Sequence, residues 1–585
     1  MYGFHNKLLR VNLSEREVTE ELISDEMLRS GLGGRGLAVQ LLMKYLPEGV
    51  GPLSAENALL FVTGPAADTT VPAASRFGVF AKSPLTGFLG ESYSGGHVAP
   101  IMKRTGYDAI MLEGISEKPV YLHISDEGVF FEDAADLWGE NTDVTEEAIL
   151  RRTGVDGAQA VTIGPAGENM VAFACLKNNR WRSAGRNGMG AVMGSKRVKG
   201  IVFSGETETR LADRDGLREY VREMISEYRD TNRTRVMREF GTPYMVKVTN
   251  TAHAFPSRYW AQSRLKNWEG ISAEEMHRRM DVRPNACRGC FMACGKLSTV
   301  KSGRHSGLNI EGPEYETIYA LGGICCVDAI EEVAYLNDLC DKLGLDTISG
   351  GNMVGLAIEA GIRGRLEGMP EYGDVDGIAD LLGRIAHREG FGDVLARGVK
   401  LAASDIGLED LAVHVKGQEP AGYDPRRLEG MSLGYAVSSR GACHLRSSYY
   451  MEELNDRAPT DHLDKVRDFI EFESRNVLED CLILCRFYQQ FIGWDGMSTI
   501  IEKTTGIPMD REAMSDLAMG VTTAIRRFNV REGLSREDDS LPERFFSEPV
   551  GESGEYVVDR RRFAEMLAEY YRLHGWNEAG VPAPD

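Results

Sequence analysis

The sequence has no long apolar run and no long basic run. Because no stretch of about 18 apolar residues occurs, a membrane-spanning helix is excluded. The N-terminal segment MYGFHNKLLRVNLSEREV alternates apolar and polar residues like a strand and lacks the continuous apolar core of a signal peptide. We therefore expect a soluble, cytoplasmic protein with no membrane partner. In a reducing compartment its ten cysteines are expected to be metal ligands and buried thiols, not disulfides.

Positive charge is also scarce. The chain carries 67 Lys and Arg residues against 88 Asp and Glu residues, a formal net charge of −21. Such a surface repels phosphate backbones, so we expect no nucleic-acid partner. Glycine, in contrast, is abundant at 65 residues, many of them in short loops, which favours a backbone packed closely around a ligand.

Internal repeats and low-complexity linkers are absent, so domain boundaries rest on a change of pattern. Residues 1–208 contain short apolar runs bounded by Gly, Pro or Asp, such as ALLFVTG and PVYLHIS, which are typical of strands. Later segments have helical spacing, as in RDGLREYVREMISEYRD and DHLDKVRDFIEFESRNVLEDCLILCRFYQQF. The sequence predicts an α+β multidomain fold, with a β-rich N-terminal domain (1–208) followed by two mainly α-helical domains (209–417 and 418–585).

No motif fits a nucleotide-binding loop. GLGGRG, residues 31–36, has the glycine spacing of a dinucleotide fingerprint, but a helix-like segment precedes it where the fingerprint needs a strand. GAVMGSK, residues 190–196, lacks the spacing of a phosphate-binding P-loop. We interpret GLGGRG as a glycine-rich break between two helices.

Three cysteines stand close together in RPNACRGCFMACGK, at Cys287, Cys290 and Cys294. This C-x2-C-x3-C spacing lets one loop present several sulfurs to a compact metal centre, and thiolates select zinc or iron–sulfur clusters. A structural zinc ribbon needs a second C-x2-C pair, which the chain lacks. We interpret the loop as part of a [4Fe–4S] site that takes its fourth ligand from elsewhere. Zinc and buried thiols are the alternatives.

Two hexapeptides share a pattern that suggests this fourth ligand. DKLGLD (341–346) and DCLILC (480–485) both read Asp-x-x-x-Leu-(Asp/Cys), and both close a helical segment. A duplicated acidic loop indicates two equivalent halves of a ligand, bound with approximate symmetry. In the second copy the final Asp is replaced by Cys485, which we interpret as the fourth cluster ligand.

Basic residues surround the cysteine loop although the whole chain is acidic. The set, called the basic collar below, consists of Arg278, Arg279, Arg283, Arg288, Lys296 and Arg486. An ordinary solvated face is one interpretation. The other is a positive surface that docks an acidic electron carrier.

Several motifs in one order make the chain resemble the tungsten-containing aldehyde:ferredoxin oxidoreductase family along nearly its whole length. They are ASRFGVFAKSPLTG (74–87), RSAGRNGMGAVMGSK (182–196), ACRGCFMAC (286–294), EGPEYET (311–317), SRGACHLR (439–446) and the two hexapeptides. The resemblance implies a mononuclear tungsten between two pyranopterin dithiolenes, bound at the domain junction, and a nearby [4Fe–4S] cluster. It also implies oxidation of aldehydes to carboxylic acids, with electrons passed to ferredoxin or a similar small iron–sulfur carrier.

The resemblance assigns roles to individual residues. The positions that match the cluster ligands are Cys287, Cys290, Cys294 and Cys485. Glu316 and His444 match the acid–base pair beside the metal, and Tyr315 is a weaker candidate for the hydrogen bond to the substrate. The positions that match cofactor contacts are Arg76, Tyr93, Gly95, Arg182, Ser183, Gly185, Arg186, Asp341, Leu345, Asp346, Arg440, Arg446, Asp480, Leu484 and Cys485. Arginine forks and glycine-exposed amides suit pterin phosphates, and Asp can accept hydrogen bonds from ring N–H donors.

One position departs from the family pattern. Tyr93, in ESYSGG, stands where the resemblance leads us to expect Asn. In the family this position helps to bind a Mg2+ ion that bridges the pterin phosphates, so Mg2+ held by the backbone carbonyl of Tyr93 is a further expectation. Cys443 and Cys481 are additional thiols, which we interpret as packed small apolar groups.

Two other functions are alternatives to aldehyde oxidation. The first is a reductase subunit of the same family that acts on a thioester, an acid or an aromatic ring in a larger complex. The second is a non-redox iron–sulfur dehydratase, which leaves the two hexapeptides without a role. Tungsten and molybdenum both fit, because in the family no protein side chain need ligate the metal, and a homodimer fits as well.

Overall fold

Strands dominate the N-terminal third of the computed structural model, which describes residues 1–584. The strands are β1 (Lys7–Asn12), β2 (Glu17–Leu22), β3 (Leu59–Val62), β4 (Phe77–Lys82), β5 (Leu89–Ser94), β6 (Ala109–Glu113), β7 (Val120–Ser125), β8 (Gly128–Asp133), β9 (Gln159–Thr162), β10 (Leu176–Asn178), β11 (Arg182–Ala184), β12 (Val198–Phe203), β13 (Met280–Asn285), β14 (Gly295–Val300) and β15 (Asn309–Glu311).

Helices make up most of the remaining chain. The first group is α1 (Asp25–Gly31), α2 (Gly34–Tyr45), α3 (Val98–Arg104), α4 (Thr142–Thr153), α5 (Pro165–Glu168), α6 (Met189–Ser195), α7 (Arg214–Tyr228), α8 (Asn232–Phe240), α9 (Met245–Thr251), α10 (Ala273–Arg279), α11 (Tyr315–Thr317) and α12 (Ile330–Leu343). The second group is α13 (Thr347–Ile362), α14 (Val375–His387), α15 (Phe391–Leu395), α16 (Val399–Ile406), α17 (Glu429–Val437), α18 (Tyr450–Leu454), α19 (His462–Leu482), α20 (Gln489–Thr505), α21 (Arg511–Arg531), α22 (Glu543–Ser547) and α23 (Arg560–Leu573). A π-helix (Ile318–Ile324) continues α11 directly.

Two six-stranded sheets form the N-terminal part of the described chain, in the orders β2-β1-β6-β3-β4-β5 and β11-β10-β9-β12-β7-β8. Each is mainly antiparallel, with β1 parallel to β6 in the first and β12 parallel to β7 in the second. A small antiparallel sheet, β13-β14-β15, carries the cysteine loop between its first two strands. The predicted fold class, a β-rich N-terminal region followed by mainly helical regions, is confirmed. The domain boundaries at 208 and 417 stay predictions.

The central strands of the first sheet, β6 and β3, are apolar over nearly their whole length because both faces of the sheet are covered there. In β3 every residue of LLFV is buried. Leu59 and Phe61 pack towards the second sheet, whereas Leu60 and Val62 belong to a core shared with α2 and with helices near the C-terminus. Alternate residues of a strand point to opposite faces, so a strand covered on both sides reads as a continuous apolar run.

The two hexapeptides end α12 and α19 with the same backbone turn. The fourth position is Gly344 in the first copy and Ile483 in the second, and both are left-handed, with φ of 77° and 51°. Glycine adopts this conformation freely, whereas a β-branched residue is strained there and persists only when its surroundings fix it. The long helical pattern predicted over 461–491 is therefore interrupted: α19 ends at Leu482 and α20 begins at Gln489.

The glycine-rich break between α1 and α2 is confirmed, and it lies against the second hexapeptide. Gly34 has a φ of 39°, and a Cβ there would overlap the backbone oxygens of Asp480 and Cys481. Only glycine lets the two backbones approach this closely. Among the described residues no helix is long and apolar enough to cross a membrane.

Candidate active site

The four cysteines assigned to the cluster lie together. Three of them lie in the loop between β13 and β14, and Cys485 follows α19. Burial raises the pKa of Cys294, and the charges of Glu314 and of the other three cysteines raise it further. Burial likewise raises the pKa of Cys485 to about 11, with further contributions from Cys290 and Cys287. Such mutual effects require neighbouring sulfurs, and metal binding would have to displace their protons.

Hydrogen-bond donors surround these sulfurs. The Gly96 N–H and Arg182 Nη1 donate to Cys287 Sγ at 3.3 Å and 3.2 Å. The Tyr488 hydroxyl lies 3.1 Å from Cys290 Sγ and accepts the backbone N–H of Phe291 at 3.2 Å. Donors to cluster sulfurs stabilise the thiolate form and set the reduction potential. Within residues 1–584 no three His, Cys, Asp or Glu side chains gather closely enough to hold a single metal ion.

The predicted contacts Gly95, Arg76 and Arg182 lie beside the cysteine loop. A Cβ on Gly95 would lie 3.0 Å from Cys287 Sγ and 3.6 Å and 3.7 Å from the Nη1 atoms of Arg76 and Arg182. The positive charge of Arg76 lowers the pKa of Cys485, although burial dominates. Arg182 also forms an ion pair with Glu311 of β15. The N-terminal sheets thus bring two cations to the cysteines.

The first hexapeptide is held against the second six-stranded sheet. Lys177 Nζ binds Asp341 Oδ1 at 2.5 Å and also donates to Ser183 Oγ at 2.6 Å. Asp346 begins α13 by accepting the backbone N–H groups of residues 348 and 349. Arg186 Nε lies 2.9 Å from Asp346 Oδ2. Ser183, Arg186, Asp341 and Asp346 are therefore in one polar group.

Leu345 and Gly185 complete this group. Leu345 is buried and forms an isolated β-bridge with Ala174. A Cβ on Gly185 would lie 4.0 Å from Asp346 Oδ1. The predicted contacts around the first hexapeptide thus come from both the N-terminal and the helical parts of the chain.

The second hexapeptide lies in a buried group of opposite charges. Arg446 Nη1 binds Asp480 Oδ2 at 2.8 Å and Glu91 Oε1 at 2.6 Å, and Arg486 Nη2 binds Asp480 Oδ1 at 2.7 Å. Arg440 donates to the backbone oxygen of Glu91. Leu484 is buried beside them. The two hexapeptides thus resemble each other: each Asp is held by a cation from another part of the chain.

Several guanidinium nitrogens of this group have no acceptor. The Nε atoms of Arg440, Arg446 and Arg486 are buried and make no hydrogen bond to any described residue. Buried donors are normally satisfied, so unused ones indicate a ligand that accepts hydrogen bonds. Arginine donors fit phosphate oxygens in particular, so the group suits the anionic pterin phosphates that the resemblance implies.

Tyr93 lies in the same group through its side chain. Its hydroxyl donates to Glu91 Oε2 at 2.8 Å, and the Arg446 guanidinium lies 5.6 Å from the centre of its ring. The phenol therefore takes a place in the charged group itself. Cys443 also differs from its interpretation as an apolar group, because Arg440 Nη2 donates to its sulfur at 2.9 Å. Burial would raise the pKa of Cys443, but Arg440 and Arg446 hold it below its usual value.

Glu316 and His444 face each other near Arg186 and Arg446, which bind the two hexapeptides, and their side chains are 20% and 15% exposed. Glu316 Oε1 lies 3.5 Å from His444 Nε2 and makes no hydrogen bond, while Glu316 Oε2 accepts the Gly422 N–H at 3.0 Å. Burial raises the pKa of Glu316 to about 8. Burial, followed by arginines that include Arg440 and Arg186, holds the pKa of His444 well below its usual value. The result is a neutral imidazole beside a carboxyl that titrates near neutrality.

Tyr315 reaches this pair only indirectly. Its hydroxyl donates to the backbone oxygen of Gly422, and Thr249 Oγ1 lies 3.1 Å away. Since Gly422 donates its N–H to Glu316, Tyr315 holds the residue that positions the carboxylate. The π-helix begins at Ile318, two residues after Glu316, and such wide turns occur frequently at functional sites.

Sequence reasoning missed Glu419, Arg35 and Glu91. Glu419 is fully buried, its Oε2 accepts Ser349 Oγ at 2.6 Å, and its Oε1 has no partner among residues 1–584. Burial raises its pKa to about 7, against the lowering effect of Arg186. The only sequence signal available was the position of Glu419 in KGQEPAG (416–422), a Gly- and Pro-rich stretch that spans the proposed boundary at 417–418.

Arg35 and Glu91 form the centre of the charged group around the second hexapeptide. Although burial alone would raise the pKa of Glu91, Arg35, Arg446 and Arg440 lower it to about 2. Arg35 Nε lies 3.1 Å from Glu91 Oε2. Arg35 belongs to GLGGRG, so the motif that we set aside as a helix break supplies a cation to the site.

Comparison with known proteins identifies the family. Residues 8–205 match the family described as aldehyde ferredoxin oxidoreductase, N-terminal domain, and residues 219–585 match aldehyde ferredoxin oxidoreductase, domains 2 & 3. The chain belongs to the aldehyde ferredoxin oxidoreductase family. As a member of the aldehyde ferredoxin oxidoreductase family it is an oxidoreductase, and the resemblance seen in the sequence is confirmed.

Individual members of this family match the chain over nearly its full length. The chain is 35% identical over 596 residues to the tungsten-containing aldehyde ferredoxin oxidoreductase of Pyrococcus furiosus, with 99% of this chain and 97% of the relative covered. The corresponding protein of Thermococcus kodakarensis is 36% identical over 596 residues, with the same coverage. The active site complex BamBC of benzoyl coenzyme A reductase is a structural neighbour, with a TM-score of 0.85, 25% identity, and coverage of 100% of this chain and 96% of that one.

Proposed function

We propose that the protein oxidises aldehydes to carboxylic acids with water. Each turnover converts RCHO and H2O into RCOOH, two protons and two electrons. The observation that carries the proposal is the mostly buried pair Glu316–His444, which lies close to Arg186 and Arg446, the cations that bind the two hexapeptides. Membership of the aldehyde ferredoxin oxidoreductase family supports it.

Glu316 is the proposed base. Forming the new C–O bond requires that a proton leave the attacking water, and a base is most effective when its pKa is near the working pH. The pKa of about 8 brings the carboxyl into this range. Its Oε1 has no partner, and the Gly422 N–H holds the other oxygen in place. The free oxygen is therefore available to accept the proton.

His444 is the proposed hydrogen-bond donor to the substrate carbonyl. Its lowered pKa keeps the ring neutral, so one ring nitrogen carries a proton and the other does not. A neutral donor polarises the carbonyl as negative charge develops on its oxygen. Tyr315 holds Gly422 and is proposed to act through Glu316.

The proposed cofactor is a tungsten or molybdenum ion with two pyranopterins. When bound, it would accept the two electrons of the reaction. The proposed contacts are Arg76, Gly95, Arg182, Ser183, Gly185, Arg186, Asp341, Leu345, Asp346, Arg440, Arg446, Asp480, Leu484 and Cys485. Unpaired arginine Nε atoms and two fixed Asp side chains support this set. Mg2+ at the backbone carbonyl of Tyr93 remains part of the proposal.

The proposed second centre is a [4Fe–4S] cluster at Cys287, Cys290, Cys294 and Cys485. It would relay electrons one at a time to ferredoxin or a similar small iron–sulfur protein. The mutual pKa effects of the four thiols and the donors to Cys287 and Cys290 support this assignment. A cytoplasmic location is consistent with ten cysteines that are all free thiols. A homodimer is the proposed oligomeric state.

Metal, pterin and dye assays on one preparation test the proposal. We expect about four irons, about one tungsten or molybdenum and two pterins per chain, together with reduction of benzyl viologen by simple aldehydes. Zinc alone without pterin would refute it.

A second candidate, a reductase subunit in a larger complex, is favoured by the likeness to BamBC. Full cofactor content without aldehyde-dependent dye reduction would select that candidate, and iron without pterin would select a dehydratase.

A further inference from the structure

A surface cleft of about 320 Å3 opens beside the cysteine loop. Its walls come from the segment after β3, from α3, from the start of α7 and from the tip of the cysteine loop. The residues that line it are Asp68, Thr69, Thr70, Val71, Ala74, Ser75, Pro100, Arg104, Glu208, Thr209, Leu211, Arg214, Leu217, Arg218, Arg288 and Gly289. This space is called the arginine cleft below. None of its residues belongs to the active site described above.

The arginine cleft reaches the cysteines directly. Arg288 and Gly289 are exposed and stand between Cys287 and Cys290 in the chain. On the opposite wall, Ser75 Oγ donates to the Gly96 backbone oxygen at 2.6 Å, and the Gly96 N–H donates to Cys287 Sγ at 3.3 Å. The floor of the cleft is thus one residue away from a proposed cluster ligand. A molecule seated in the cleft would lie against the loop that carries Cys287 and Cys290.

The cleft is basic although the protein is strongly acidic. Arg104, Arg214, Arg218 and Arg288 face two lining carboxylates, Asp68 and Glu208, in a chain of net charge −21.

The acidic partners leave this charge weakly neutralised. Arg104 and Arg288 share Asp68, at 2.7 Å and 3.7 Å. Arg214 is 3.3 Å from Glu208, whose side chain is 79% exposed. Among residues 1–584, Arg218 pairs with the exposed Asp215 at 3.6 Å. Asp68 is mostly buried and stays with Arg104, whereas the exposed pairs of Arg214 and Arg218 are weak, so these two guanidinium groups can exchange their partners for carboxylates of another molecule.

The basic collar expected from the sequence does not form this surface. Lys296 is buried and donates to backbone oxygens, and Arg486, whose side chain is only 11% exposed, packs against Glu479 and Asp480. Arg278 and Arg279 both bind Glu275. Of the collar, Arg288 alone lines the cleft.

We propose that the arginine cleft is the docking site of an acidic protein electron carrier. The inference rests on the proposed function, because the carrier would receive the electrons that aldehyde oxidation releases. A carboxylate-bearing loop of the carrier would take the places of Glu208 and Asp215 on Arg214 and Arg218, which brings its redox centre next to the cysteine loop. Each encounter transfers one electron, so two oxidised carriers become reduced for every aldehyde oxidised. Complementary charge of this kind governs encounter rate and orientation.

Binding of a purified small acidic ferredoxin to the complete enzyme tests the proposal without turnover. The double variant Arg214→Glu/Arg218→Glu removes the two arginines at the start of α7, where acidic residues are tolerated by the helix dipole. We expect Kd at 50 mM NaCl to rise at least about tenfold, since two attractive charges become repulsive. Wild-type affinity should fall steeply between 50 and 300 mM NaCl, whereas that of the variant should change little.

The matched control is Arg560→Glu/Arg561→Glu, which makes the same charge change at the start of α23, also in exposed side chains. We expect Kd within about twofold of wild type for this control. A basic c-type cytochrome should bind the wild-type cleft more weakly than the ferredoxin does. Dye reduction with aldehyde should be unchanged in both variants, because a small viologen does not need the cleft.

Three results would overturn the docking proposal. The first is that ferredoxin does not bind the wild type at 50 mM NaCl. The second is that the Arg214→Glu/Arg218→Glu variant binds ferredoxin as tightly as the wild type does. The third is that an Arg278→Glu/Arg279→Glu variant, and not the cleft variant, loses tenfold in affinity. Failure of the proposed function looks different: ferredoxin would bind in a cleft-dependent manner while aldehydes fail to reduce the viologen. The two ideas are thus separable in one set of preparations.

Discussion

Replacement of Glu316 by Gln separates the role of the carboxyl as a base from its role in packing. Gln has nearly the same shape and can still accept the Gly422 N–H, which the wild-type carboxylate accepts at 3.0 Å. It cannot take up a proton at the oxygen that faces His444 Nε2 at 3.5 Å. Pterin, metal and cluster contents should therefore be retained, while kcat falls by ~10²–10⁴, the usual contribution of a general base. This loss corresponds to about 3–5 kcal/mol of transition-state stabilisation.

The pKa of Glu316 sets the pH dependence of that loss. With a pKa of about 8, the carboxyl is ionised in about a tenth of the molecules at pH 7 and in about nine tenths at pH 9. Wild-type kcat/KM should therefore rise about tenfold from pH 7 to pH 9, and the Gln variant should lack this rise. The contribution of Glu316 to folding stability changes with pH in the opposite direction. Since the folded pKa lies above the usual 4.5, this carboxyl contributes stability below pH 4.5 that is lost as the pH rises through about 8.

The assay is aldehyde-dependent reduction of benzyl viologen from pH 6 to 9.5, normalised to metal content. Glu419→Gln is the matched control, because Glu419 is also buried with an unpartnered oxygen, and its pKa is raised to about 7. The Glu419→Gln variant should keep the rise in kcat/KM near pH 8. Wild-type rates in a Glu316→Gln protein with full metal content would refute the assignment of Glu316. If the rise is lost in Glu419→Gln and kept in Glu316→Gln, the base is Glu419.

Three further outcomes are expected. Cys485→Ser should lose or convert the four-iron signal in electron paramagnetic resonance, whereas Cys481→Ser should keep it, because the charges that act on Cys481 are those of Arg35, Asp480 and Glu91, and no other cysteine within residues 1–584 lies beside it; an intact signal in Cys485→Ser would give the fourth place to another residue. His444→Ala should lose less kcat than Glu316→Gln, since water can replace a hydrogen-bond donor; equal losses would contradict its role. Arg446→Met should lower the urea-unfolding free energy by up to about 3–5 kcal/mol, because Glu91 and Asp480 each lose one of their buried cations; an unchanged midpoint would show that Arg35 and Arg486 are sufficient partners.

Local pattern was enough to predict the fold class and the two hexapeptide turns. Alternating apolar strands and helical spacing are local signals, and the repeated Asp-x-x-x-Leu spacing corresponds to one backbone turn, seen at Gly344 and Ile483. The interruption of the long helical pattern after Leu482 was not predicted, because DCLILC has helical hydrophobicity. Its left-handed Ile483 depends on packing against distant parts of the chain.

The residues that were missed or misplaced depend on the three-dimensional fold. Arg35 lies far from Glu91 and Arg446 in sequence, and no spacing rule joins them. Lys296 and Arg486 looked like surface cations because charged residues are usually exposed, yet Lys296 is buried and Arg486 is mostly covered, and both have partners. Whether a charge faces solvent or a buried counter-charge is decided by the tertiary fold.

The Tyr488 hydroxyl connects two segments that are far apart in the sequence and that both carry cysteines of the proposed cluster. It joins the loop, through Cys290 and the N–H groups of Phe291 and Met292, to the turn that carries Cys485. Three of the four proposed ligands leave the ribosome nearly two hundred residues before the fourth, so a nascent chain offers only an incomplete set. The proposed cluster would then capture its iron and sulfide completely only after the C-terminal helices have docked. Loading of such a cluster would be a late event in the life of the chain, and a truncated or misdocked product would be left without it.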